Sequence, residues 1–116
     1  GATAAGDFGA GGTVADVRMP LRVYNNSTIT GLAARGAQDF EAGGWTVTDI
    51  GGYSGLIPVS TVYFREGTAE KDAAVFLAEA FGLRAEPRFD GIKDASPGVI
   101  VILTRDYQGP QDTKTG

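Results

Sequence analysis

The reactive groups of this 116-residue chain are fourteen carboxylates and ten basic side chains; it has neither histidine nor cysteine. The missing imidazole removes the commonest general base and the commonest metal ligand together. The missing thiol removes disulfide and thiolate chemistry. A serine or threonine nucleophile would therefore depend on Lys71, Lys93, Lys114 or a carboxylate, and none of these stands in a recognisable nucleophile setting. Asp90 with Asp94, or Glu66 with Glu70, could divide acid and base roles. The same spacings also describe solvated charges on a loop and at a helix start. Asp90 and Asp94 lack the spacing of a calcium loop, and no Gly-rich segment follows a strand in a nucleotide-binding pattern. The expectation is a protein without catalysis, metal or cofactor.

Three constellations suit binding better than reaction. Asn25-Asn26-Ser27-Thr28 offers amides, hydroxyls and backbone N–H groups ahead of a helix, where anions or sugar hydroxyls could sit. Alternatively, Asn25 only holds its own turn. Asp106-Tyr107 reads as a ligand contact or as a latch on the domain edge. The third comprises Arg22, Tyr24, Tyr63 and Arg65. Their alternation with apolar residues predicts one exposed aromatic and cationic patch, flanked by Ile100 or Ile102. Such a patch can stack sugars and fork carboxylates or phosphates. It is equally an ordinary exposed sheet face, or one covered by the N-terminal segment or a partner.

The elements that position these residues follow from periodicity. Leu21 and Val23 alternate with Arg22 and Tyr24 as in a half-buried strand. From Thr30, an expected N-cap, Leu32, Ala33, Gly36, Ala37 and Phe40 recur at helical spacing until Gly43-Gly44. Residues 45–50 and 61–65 read as further strands. Ala73, Phe76, Leu77, Ala80 and Phe81 form the apolar stripe of a second helix, ended by Gly82. Residues 87–97 read as irregular, and 99–103 as a last strand, apolar on both faces. Phe40, Val47, Val62, Phe64, Phe76, Leu77 and Val101 are the expected core.

This order predicts an α+β fold: a two-layer, β-α-β-β-α-β ferredoxin-like sandwich. Its four-stranded antiparallel sheet would carry both helices on one face, with the first and third strands central. Residues 1–17, rich in Gly and Ala, read as a flexible tether in which Phe8 is the one aromatic. Residues 18–108 read as the domain and 109–116 as a disordered tail. The net charge of −4 opposes nucleic acid as a partner. No run approaches the roughly 20 apolar residues of a membrane span. A chain that opens on Gly1 is expected to be a piece of a longer one, with any membrane anchor upstream.

Val23-Tyr24-Asn25-Asn26-Ser27, Gly31-Leu32-Ala33 and Gly44-Trp45-Thr46-Val47 resemble the opening motifs of the LytR C-terminal domain family. The likeness continues through Ser60-Thr61-Val62-Tyr63-Phe64, Ala73-Ala74 and Leu77-Ala78. It closes on Val101-Ile102-Leu103 and Asp106-Tyr107. Thr104-Arg105 departs from the pattern, standing where the family usually has Gly and a variable residue. The resemblance implies an extracytoplasmic module of the bacterial envelope, tethered at the membrane. It would act as a scaffold or accessory factor in cell-wall assembly. Implied partners are LytR–CpsA–Psr-type ligases, other envelope proteins, or peptidoglycan and its attached glycopolymer. A dedicated glycan-binding domain and a carboxylate-based enzyme remain the alternatives.

Overall fold

The computed structural model describes residues 16–111. Most of the expected tether with Phe8, and residues 112–116 of the expected tail with Lys114, lie outside the described residues. The chain forms β1 (Leu21–Asn25), α1 (Leu32–Ala42), β2 (Val47–Gly52), β3 (Thr61–Phe64), α2 (Glu70–Phe81), β4 (Arg84–Pro87) and β5 (Val99–Leu103).

The sheet corrects the four-stranded antiparallel expectation. It has five strands in the order β2-β1-β5-β3-β4. β1 pairs in parallel with both β2 and β5, β3 pairs in parallel with β4, and only the β3–β5 pair is antiparallel. Two β-α-β units, β1-α1-β2 and β3-α2-β4, are thus joined edge to edge by the last strand. The first and third strands are not neighbours, because β5 lies between them. β4 escapes the sequence pattern for a physical reason. Arg84-Ala85-Glu86-Pro87 is short, polar and ends in proline, which suits an outer strand with one unpaired edge.

The helices cover one face, as expected. Leu21 and Val23 of β1, Val62 and Phe64 of β3, and Val99, Val101 and Leu103 of β5 pack there against α1 and α2. Phe40 anchors this core, with Phe81 at 4.8 Å and Tyr107 at 6.0 Å, both edge-on. α1 buries Leu32, Ala33, Gly36, Ala37 and Phe40. Gly36 is required by closeness: a Cβ there would collide with the Leu103 side chain. Thr30 does not cap α1. The N-cap is Gly31 at φ 80°, in the left-handed region where glycine is favoured, and no side chain bonds the helix start.

Phe76 corrects the expected core. It is 42% exposed and walls a surface groove of about 560 Å³ with Val17, Val75 and three acidic side chains. There the Arg18 guanidinium lies 5.3 Å from its ring centre. The true inward neighbours on α2 are Ala73, Ala74, Leu77, Ala78 and Phe81.

The second face of the sheet is also covered. Tyr63, Ile100 and Ile102 are buried there with Ile92, and Tyr24, Tyr53, Ile57, Phe89 and Ala95 pack around them. Residues 88–98, expected to be an irregular connection, fold over this face. β5 is consequently buried along its whole length, the position its unbroken apolar run suits.

Candidate functional site

Of the expected patch, the structure brings together the two arginines but not the two tyrosines. Parity is as expected, since Tyr63 points away from the helices. Its ring nevertheless lies beneath Phe89, 5.2 Å centre to centre, and is buried. Burial is the main cause that raises its phenol pKa. The Tyr24 hydroxyl donates to Asp49 Oδ2 at 3.1 Å; partial burial and that carboxylate raise its pKa also. The sequence signal misled because nothing in residues 88–98 announces a covering segment.

What holds that segment is Arg88. Its Nη1 donates to Ala95 O at 2.7 Å, and its Nη2 to Ser96 O at 2.7 Å and Gly98 O at 2.8 Å. Its Nε–H is buried without a partner. No pattern in the sequence marks this residue.

Arg22 and Arg65 meet at the end of the sheet where β1 and β5 begin and β3 ends. They line a groove of about 260 Å³ with Glu70, Gly98, Pro97 and Thr48. Glu70, at 2% exposure, is the carboxylate that fixes this end. Its Oε1 accepts from Arg65 N at 2.8 Å; its Oε2 accepts from Gly98 N and from Arg65 Nε and Nη2, each at 2.8 Å. Burial pushes the Glu70 carboxyl up, but these donors outweigh it and hold its pKa below the ordinary value.

Asp106 does the same work at the opposite end of the sheet. Its Oδ1 accepts from Ser60 N at 2.9 Å, Ser60 Oγ at 2.6 Å and Thr104 Oγ1 at 2.5 Å. Partial burial raises its pKa, the three donors lower it, and the balance is low. Thr104 supplies one of those donors. The Tyr107 hydroxyl donates to Asp39 Oδ2 at 2.8 Å; burial, then that carboxylate, push its pKa far up. Both residues act as latches.

The Asn25–Thr28 turn is held by its own side chains. Asn25 Nδ2 donates to Ile29 O at 2.8 Å, and Ser27 Oγ donates to Asn25 Oδ1 at 2.5 Å. Asn26 Nδ2 reaches across to Tyr53 O at 2.8 Å and Gly55 O at 2.9 Å, pinning the loop after β2. Beside these bonds lies a groove of about 350 Å³, lined by Asn26, Ser27, Thr28, Ile57, Pro58, Thr104 and Arg105. The pinned loop carries Leu56, which is 100% exposed. Its one sequence signal is an apolar residue inside a Gly-rich connection.

Among the described residues no cluster of three or more His, Cys, Asp or Glu side chains could hold a metal ion. Nor is any helix there long and apolar enough to cross a membrane.

A β-α-β pair closed by a late central strand makes this a small α+β domain. The chain belongs to the LytR C-terminal family, described as LytR cell envelope-related transcriptional attenuator, whose model matches residues 18–107. It is similar to the vesiculogenesis and immune response regulator of Mycobacterium tuberculosis, with 40% identity over 88 residues. That match covers 75% of this chain and 54% of the relative, so the chain spans about half the relative's length. Among solved structures, it resembles the solution structure of the C-terminal domain of RV0431. Identity there is 36% and the TM-score 0.54, covering 90% of this chain and 86% of that one.

Proposed function

We propose that this domain is a non-catalytic docking module of the bacterial cell envelope. Held at the outer face of the membrane by a preceding segment, it brings wall-assembly enzymes of the LytR–CpsA–Psr type, or other envelope proteins, to their site of work. Family membership and the name of the mycobacterial relative support an envelope role. The observation that carries docking is Leu56: a wholly exposed leucine on a loop pinned by Asn26. An apolar side chain fixed in water gains free energy when a partner covers it. The shifted carboxylates support a non-catalytic reading, since Glu70 and Asp106 are held ionised by bonds that tie strands and loops together.

The adjoining groove favours one second reading. Its lining by Asn26, Ser27, Thr28, Thr104 and Arg105 suits sugar hydroxyls, so peptidoglycan or its attached polymer is the alternative occupant.

Capture from an envelope extract, with a photo-crosslinking residue at position 28, separates these readings, with Leu56→Ser as the test variant. Protein docking predicts crosslinked envelope ligases that Leu56→Ser loses, while sedimentation with purified sacculi stays weak in both. Strong sedimentation that persists in Leu56→Ser favours the glycan. A Leu56→Ser protein that matches wild type in a positive capture assay removes Leu56 from the docking surface.

A further inference from the structure

At the end of the sheet opposite Leu56, positive charge is gathered without a matching acceptor. Arg22 Nη2 and Arg88 Nη2 donate to the same carbonyl oxygen, Ser96 O, at 2.6 and 2.7 Å. Two cations are thereby held side by side on one neutral atom. A third, Arg65, lines the same groove as Arg22. Lys93 and Arg88 line a second groove, of about 190 Å³, with Arg65 and the carboxylate of Glu66. The one buried carboxylate nearby is Glu70, and Arg65 takes it. Among the described residues, Arg22, Arg88 and Lys93 have no ion-pair partner.

Like charges this close repel, and proteins place them so where an anion completes the set. The neighbouring guanidinium groups add to burial in lowering the pKa of Arg88, against the pull of Glu70. The donors are also preorganised. Glu70 fixes Arg65 through Nε and Nη2, and Ser96 fixes Arg22 through Nη2. That leaves Nη1 of Arg65, with Nε and Nη1 of Arg22, unbonded within the described residues, on two side chains that line one groove.

We infer that the groove lined by Arg22 and Arg65 is a binding site for a phosphate group, with Lys93 extending it toward the next charge of a chain. Phosphate fits better than a carboxylate. The free N–H donors of two arginines can serve more oxygens than a carboxylate has, and Arg22, Arg65, Arg88 and Lys93 outnumber Glu70 and Glu66 by two charges. The inference is independent of the Leu56 surface, so either can fail alone.

The test is a titration of the 116-residue protein followed through its backbone amides and the arginine Nε–H signals. The probes, at constant ionic strength, are inorganic phosphate, short poly(glycerol phosphate), and acetate as the control. Saturable shifts at Arg22, Arg65 and Gly98 with either phosphate probe, and not with acetate, are expected. Tighter binding of the oligomer identifies a polymer as the source, whereas equal binding identifies a single phosphate. Arg22→Gln should weaken binding at least fivefold and Arg22→Lys by less. Arg84→Gln, which alters an arginine remote from the groove, should leave it unchanged. Failure of both phosphate probes to saturate, an equal response to acetate, or an Arg22→Gln protein that binds like wild type would overturn the inference.

Discussion

Replacing Glu70 by glutamine removes one charge and hardly any volume, and its cost follows from donor counting. Glu70 Oε1 serves the Arg65 backbone N–H; Oε2 serves the Gly98 N–H and two nitrogens of the Arg65 guanidinium. A glutamine has one acceptor oxygen where glutamate has two. If the oxygen faces Gly98, the new NH₂ opposes the Arg65 N–H; if it faces Arg65 N, the NH₂ opposes Gly98 and the guanidinium. Either way a backbone N–H loses its acceptor, costing about 1–3 kcal/mol, and the surviving bonds lose their charge assistance, about 1 kcal/mol more. The guanidinium adds little, because water reaches it. Glu70→Gln should therefore lose about 2–4 kcal/mol, a large share of a small domain's stability. Urea unfolding at pH 7 should show the midpoint falling with an unchanged slope. The pH dependence supplies a second reading. The folded-state pKa of Glu70 is depressed, so its stabilisation is full above the ordinary value of 4.5 and is lost as pH falls through the folded value. The gap between wild type and variant should accordingly narrow in acid. A loss below about 1 kcal/mol, or a gap that is constant down to unfolding, would refute the donor argument.

Two further outcomes separate faces and latches. Phe40→Ala, at a fully buried ring, should cost about 3–5 kcal/mol in the same assay, and half-exposed Phe76→Ala no more than about 1. Tyr107, whose phenol pKa burial and Asp39 raise, contributes stability that is full below pH 10, its ordinary value, and is lost as pH rises beyond it; Tyr107→Phe should delete the latest step of an absorbance titration of the phenols.

The legible parts of the chain were those with a strong period. Leu21 and Val23, and the small-residue stripe from Leu32 to Phe40, lie where their spacing puts them because burial of an apolar face sets both helix and strand phase. Illegible were features built from single polar contacts. Arg88 gathers residues 88–98 over the second face by giving N–H groups to carbonyls, and carbonyls leave no trace in a side-chain pattern. That is why Tyr63 was expected in water. Phe76 misled differently: it sits beside Leu77 on the helix, and a stripe wide enough to include both cannot say which one faces the sheet. Of the residues proposed to bind, Arg22 and Arg65 were placed together by parity, while Leu56 had no period to expose it.

The strand that joins the two halves follows the other four in the chain. Until Val99–Leu103 arrives, β1 and β3 have no partner in common, and each β-α-β unit is a two-stranded fragment with one face of its sheet open. Such fragments are marginal alone. Pairing residues 21–25 with 99–103 also closes a long loop, which slows the commitment step. Almost all of the domain is therefore synthesised before any of it is locked.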